Sequence, residues 1–191
     1  MSEIVRCAWA ISSPEMTAYH DKEWGVPVHD DRVLFEFIVL EGMQAGLSWS
    51  TVLNRRPSFR IALDDYDIER IAAYDEAEHE RLMANRGIIR HTAKVRAVKQ
   101  NAQAFIKVQE EFGSFDKYLW DFVGGEPIQN NFPTLADLPV KTDLSVKLGK
   151  DLVKRGFAFV GPTIVYAYMQ AVGVVNDHTT DCFCHPGNCK K

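Results

Sequence analysis

No stretch of this chain holds the ~18 consecutive apolar residues that a membrane span requires. The N-terminus also lacks an apolar core of the secretory kind, and Glu3 and Arg6 stand where one would lie. A cytoplasmic chain with no membrane partner is therefore expected. Cysteine is scarce. The four residues Cys7, Cys182, Cys184 and Cys189 sit near the two ends. Without a secretion signal, that placement points to a metal site and away from a disulfide framework. Period-two alternation is missing, so no strand is expected, and there is no internal repeat. An excess of positive charge is lacking too. The net charge of −4, taken alone, speaks against a nucleic-acid partner. The distribution speaks for one: Arg81 to Lys107 carries seven Lys or Arg and no Asp or Glu. A chain that is acidic overall can still turn one basic segment toward phosphates.

What remains is a chain of 191 residues, 46% hydrophobic, which is enough for the core of one domain. The class is all-α, a single unit over residues 1–191 built of many short helices, with room for two helical lobes around a groove. A helix is expected from about Asp31 to Met43. Ser48 caps a short one that ends at Pro57. Asp67 and Asp75 read as N-caps, the second completed by Glu78 as a capping box. A long helix runs from about Arg90 to Glu111, with Val95, Val98, Ala102, Phe105 and Gln109 inward. Ser114 and Asp143 open two more, and Pro162 takes a first-turn position. The acidic residues 64–80 read as solvated surface.

Three features carry chemistry. On the first long helix, Glu41 falls on the stripe of Leu34 and Ile38. A carboxylate there either turns to water at a helix end or is held in an apolar pocket for chemistry or recognition. His178 and Cys182 are four apart, so on a helix both face one side. Cys7 and His20 supply two more ligands of the same kind, completing a closed Cys2His2 set of the structural-zinc type. Cys184, Cys189, His185 and His29 compete for those places. Finally, Arg155 to Thr163 joins two helices through a glycine-bearing hairpin. Its backbone N–H groups at the second helix start face outward, which is a way of holding phosphate without reading sequence. Lys147, Lys150, Lys154 and Arg155 lie beside it.

These pieces together resemble one family. The carriers are Cys7-x-Trp9, Tyr19-His20-Asp21-x-Glu23-Trp24-Gly25-Val26-Pro27, and Leu40-Glu41-Gly42-x-Gln44-Ala45-Gly46-Leu47-Ser48-Trp49. To these add Gly87-Ile88-Ile89-Arg90-His91, Lys154-Arg155-Gly156-Phe157-x-Phe159-Val160-Gly161 and Val175-Asn176-Asp177-His178. From about Arg6 to Asn188 the chain is similar to the 3-methyladenine DNA glycosylase I family. The resemblance implies a helix-hairpin-helix glycosylase fold whose termini are tied by zinc on Cys7, His20, His178 and Cys182. It implies a base pocket of Trp9, Tyr19, Trp24, Glu41 and Trp49. Met16 departs from the pattern, since family members can carry a tyrosine there.

The implied function is DNA repair. A monomer flips N3-methyladenine out of double-stranded alkylated DNA, hydrolyses the N-glycosidic bond, and releases the free base above an abasic site. Leu47 would fill the gap as a wedge. Gly156, Phe159, Gly161 and Thr163 would hold the backbone. The aromatic residues would stack on a cationic base, and Glu41 would be the catalytic reader of its edge. Where related glycosylases carry an essential Asp, this chain has Asn176, with Asp177 adjacent. No lysine stands as an evident Schiff-base nucleophile, so no strand cleavage is expected. Two other readings stay open on the residues alone: a zinc-stabilised damage-binding module without catalysis, and a zinc hydrolase with an open metal position.

Overall fold

A computed structural model describes residues 4–188. Among them, ten α-helices follow in order: α1 (Pro14–Lys22), α2 (Asp31–Gln44), α3 (Trp49–Leu53), α4 (Arg56–Ala62), α5 (Ile68–Ala72), α6 (Glu76–Ala84), α7 (Thr92–Phe112), α8 (Phe115–Asp121), α9 (Asp143–Lys154) and α10 (Pro162–Ala171). Most starts are fixed by a local side chain that accepts from an N–H three residues on. Asp30, Ser48, Asp67, Asp75 and Ser114 all do this. Thr142, not Asp143, caps α9. Pro57 does not end a helix but sits in the first turn of α4, where its missing N–H costs nothing.

Helix α2 lies at the centre and touches α3, α7, α8 and α10. It is buried on every side from Leu34 to Met43, so Glu41 is interior because the whole helix is, not because of one stripe. Glu36 on the same helix is met by Arg56 Nε and Arg60 Nη2, each at 2.8 Å. That ion-paired cluster seats α4 against α2. Helix α7 buries Val95, Val98, Ala102, Phe105 and Val108, while Gln109 is only half-buried and donates to Asp31.

Two expectations are corrected. A short parallel pairing exists: β1 (Ile128–Gln129) with β2 (Val175–Asn176). Two residues a side leave no room for a periodic signal. The basic run 81–107 is partly engaged within the molecule, although Arg81, Arg86, Arg90, Arg96 and Lys107 remain exposed. Arg81 pairs with Glu78, Arg96 pairs with Glu76, and Lys99 donates to the Tyr74 carbonyl. The acidic stretch before it thus supplies two of its ion-pair partners, Glu76 and Glu78.

Candidate active site and metal centre

Helices α1, α2, α3 and α10 enclose a cavity of about 250 Å³. Trp9, Tyr19, Trp24, Glu41 and Trp49 all line it, so the five residues expected in a base pocket do meet. Met16 lines it as well, and so do Gln44, Leu135, Leu138, Ala167 and Gln170, none of which the sequence singled out. Gln44 stands one turn after Glu41 on α2, where spacing could have found it; the others come from α10 and from a short turn after β1, which spacing could not reveal. The rings form a continuous wall. Trp9 and Trp24 meet edge to face at 5.0 Å, and Tyr19 and Trp49 tilt together at 5.2 Å.

Glu41 is 3% exposed, and its Oε2 has no hydrogen-bond partner. Burial alone pushes its carboxyl up to about 8. Trp49 Nε1 is also buried without a partner. An orphan acceptor and an orphan donor on one cavity are uncommon in a folded protein, and they ask for a ligand that supplies the complements. The C-terminal end of α2, which carries Glu41, is held by a buried lysine. Lys94 Nζ donates to the Met43 carbonyl at 2.8 Å and the Ala45 carbonyl at 2.5 Å. A cation there complements the helix dipole. Beyond it, Gly46 turns the chain at φ +76° and Leu47 stands 42% exposed.

The hairpin between α9 and α10 is fastened by α7. Asn101 accepts from Ala158 N at 2.8 Å and donates to the Ala158 carbonyl at 3.2 Å. Gln100 donates to the Gly156 carbonyl at 2.7 Å. Gly161 and Thr163 are exposed, and no side chain caps α10. Phe159 is half-buried in left-handed backbone (φ +58°), and its Cβ would stand 3.4 Å from a Cβ added to Gly42. Hairpin and α2 are thus in contact.

Cys7, His20, His178 and Cys182 form one buried group, their ligand atoms all within 4.8 Å of one another. His178 Nδ1 is 3.6 Å from Cys7 Sγ and 3.5 Å from Cys182 Sγ, and His20 Nε2 is 3.4 Å from Cys182 Sγ. The other ring nitrogens are engaged: His178 Nε2 at 3.0 Å from the Trp24 carbonyl, His20 Nδ1 at 2.8 Å from Asp21. Such outer partners fix which nitrogen faces a metal. The Cys7 thiol holds Cys182 well below the ordinary thiol range, helped by both histidines. His178 and Cys182 do not share a helix, as their spacing suggested; they follow β2 in irregular chain and turns. Among the competitors, His29 pairs with Asp116 elsewhere, and His185 is buried outside the group. Cys184 groups with His20 and Asp21. Cys189 lies outside the described residues.

Asp177 is buried and accepts from Asn130 at 2.6 Å, Tyr166 at 2.5 Å and Gln170 at 2.8 Å. Asn176 accepts from His178 N at 3.2 Å.

Residues 9–185 match the methyladenine glycosylase family. The chain is 46% identical, over 96% of its length and 98% of the relative's, to DNA-3-methyladenine glycosylase 1 of Escherichia coli (strain K12). A crystal structure of 3-methyladenine DNA glycosylase I superposes with a TM-score of 0.93 at 50% identity, covering 95% of this chain and all of the other. A variant of 3-methyladenine DNA glycosylase I in complex with 3-methyladenine superposes with a TM-score of 0.92 at 34% identity, covering 95% and 97%.

Proposed function

The chain belongs to the methyladenine glycosylase family, and from that premise we propose how its own residues carry out the reaction: release of 3-methyladenine from alkylated DNA by hydrolysis of the N-glycosyl bond. The observation that carries the reading is the aromatic cavity with two unpartnered polar atoms, Glu41 Oε2 and Trp49 Nε1. A purine with an exocyclic amine and ring nitrogens complements both. Methylation at N3 in DNA makes the adenine cationic, so the rings of Trp9, Tyr19, Trp24 and Trp49 favour it over the normal base. Entry of a cation also favours ionised Glu41, which gives up its proton to solvent water and then pairs with the ring. The cation is already a good leaving group. The residues' main task is therefore to extract the base and hold it while water captures the sugar.

Leu47, exposed on its turn, fills the space the base leaves. Gly161, Thr163 and the backbone of the hairpin from Gly156 through Phe159 hold a phosphate at the start of α10, in a helix-hairpin-helix arrangement. Asp177 is held in place by three donors, from Asn130, Tyr166 and Gln170. The non-catalytic binding module is dropped, since the chain belongs to a family of enzymes. The open-site zinc hydrolase is disfavoured by four protein donors in one buried group.

The metal reading is structural zinc on Cys7, His20, His178 and Cys182. A tetrahedral ion with Zn–S near 2.3 Å and Zn–N near 2.0 Å separates sulfur from nitrogen by about 3.5 Å, and the group's own separations are 3.4–3.6 Å. Zinc there supplies cohesion, not a reacting oxygen. No helix among the described residues is long and apolar enough to cross a membrane. The reading is completed by a cytoplasmic monomer of one domain, its two helical lobes facing the groove that takes double-stranded DNA.

The test is base release from methylated duplex DNA, resolved by chromatography. 3-Methyladenine should appear and 7-methylguanine should stay bound to its sugar, because its O6 would set an acceptor against Glu41. Comparable release of both bases, or of neither, would overturn the assignment.

A further inference from the structure

The widest cavity described, about 560 Å³, lies apart from the base pocket and shares no lining residue with it. The end of α7, helix α8 and the outer face of α9 form its walls. Nothing in the reaction uses it. Its floor is aromatic, made of Phe112, Tyr118 and Phe122. Its rim is basic: Lys147, Lys150 and Lys154 recur three and four residues apart, so they share one face of α9. All three are exposed, and none forms an ion pair among the described residues.

Arg155 is in a different position. It is committed to Glu111 and Asp151, and its guanidinium lies over Phe112 at 4.8 Å and Tyr118 at 5.1 Å. Lys147 Nζ stands 5.6 Å from the centre of Phe122. Against the three lysines stand exposed Asp121 on the same groove and the second carboxylate of the Arg155 cluster, so the charge left at the rim is only slightly positive, in a molecule whose net charge is −4. Beneath it is apolar surface that a polar ligand alone would not cover.

We propose that this groove docks an acidic segment of another protein. One apolar side chain would seat on the Phe112–Phe122 floor, and flanking carboxylates would meet Lys147, Lys150 and Lys154. Duplex DNA fits poorly. A rigid convex rod cannot reach a concave floor, and phosphates would lose water against aromatic carbon. An acidic peptide with an apolar anchor uses both halves of the groove, the pairing of anchor and charged rim common to peptide docking sites.

The test is fluorescence anisotropy with the full chain and a labelled ten-residue peptide of aspartates flanking a central Leu-Phe. Three controls run beside it: the same peptide with Ser-Ser at its centre, a ten-nucleotide single strand, and a twenty-base-pair duplex. Wild type should bind the Leu-Phe peptide saturably and the Ser-Ser peptide about tenfold more weakly. The double variant Lys150→Glu/Lys154→Glu, altered only at exposed positions, should lose peptide affinity by about tenfold or more. Because these lysines also lie beside the hairpin, duplex affinity is read alongside: its loss should be several-fold smaller than the peptide's, and an unchanged melting temperature shows that the variant is folded. Lys147→Glu should repeat the loss independently. The proposal is overturned if no saturable peptide binding is seen, or if the Ser-Ser peptide binds equally. It is also overturned if the charge reversals weaken the duplex as much as the peptide, since the rim would then belong to the DNA footprint. Tighter binding of the single strand, lost in the double variant, would reassign the groove to nucleic acid.

Discussion

Glu41 is where residue-scale physics and function meet. An isolated carboxyl in an apolar cavity prefers its proton, and burial here pushes it up to about 8. In the unfolded chain it titrates in the ordinary range, near 4.5. The folded state thus binds a proton that the unfolded state releases between those values. Its contribution to stability is complete below the lower value and drains away as pH rises through the upper one. Glu41→Gln removes the titration and keeps the size. In urea unfolding followed from pH 5 to 9, wild type should lose stability with rising pH relative to the Gln variant. Parallel curves would mean that Glu41 is ionised throughout. The same substitution removes the charge that, on the proposed reading, pairs with the cationic base. Its kcat/KM for 3-methyladenine release should fall roughly ten- to a hundredfold, the scale of one hydrogen bond to a charged group. Activity is not abolished, because the leaving group is already activated. An unchanged rate would remove Glu41 as the reader of the base.

At the scale of elements, α7 is the beam to which two other pieces are fastened. Lys94 holds the end of α2 just before Leu47, and Asn101, seven residues on and so on the same face, holds the hairpin at Ala158. The turn at Leu47 and the hairpin are thereby fixed relative to one another. Gly161 separates the hairpin's function from its stability. Its φ is not in the left-handed region, and a Cβ built on it meets nothing within 4 Å. Asp also caps a helix somewhat better than Gly. Gly161→Asp should therefore keep or slightly raise the melting temperature. By setting a negative charge where phosphate sits, it should weaken DNA binding about tenfold or more, with free 3-methyladenine binding unchanged. DNA affinity at the wild-type level would leave the hairpin a purely structural corner.

For the whole molecule, the Cys/His group joins the two ends of the chain and abuts the pocket wall. His20 follows Tyr19, which lines the cavity, and His178 bonds the carbonyl of Trp24, which lines it too. His20 and His178 meet ring to ring at 4.6 Å, and Trp24 and His178 at 4.7 Å. If the group holds structural zinc, removing the ion leaves two buried sulfurs and two imidazoles to share their protons, and the joint loosens. One zinc per chain should be found by metal analysis. Chelation, or Cys182→Ala, should lower the melting temperature by roughly 10 °C or more, since a structural zinc site contributes folding free energy directly. Free-base binding should fall after stability does. Metal-free protein with an unchanged melting temperature would sink the zinc reading.

Much of this was legible in the sequence, for a physical reason. Caps act over three residues, so Asp30, Ser48, Asp67, Asp75 and Ser114 announce helix starts by themselves; Thr142 and Asp143 are both good cappers, and there the reading slipped by one. Long motifs carried the family, and with it the pocket residues and the four metal candidates. Properties that depend on what lies opposite were not legible. Periodicity could not say that α2 is buried all round, because burial is set by four neighbouring helices. Nor could it say that Pro57 opens a helix instead of closing one. Charge counting could not reveal that Glu76 and Glu78 pair with Arg96 and Arg81, or that Lys94 points inward to two carbonyls. His178 and Cys182 came together by turns and not by a helix. The tertiary structure alone decided that Glu41 Oε2 and Trp49 Nε1 share a cavity without partners. Whether a buried atom is left without a partner is settled only when the elements have packed around it, and no local pattern in a chain encodes that.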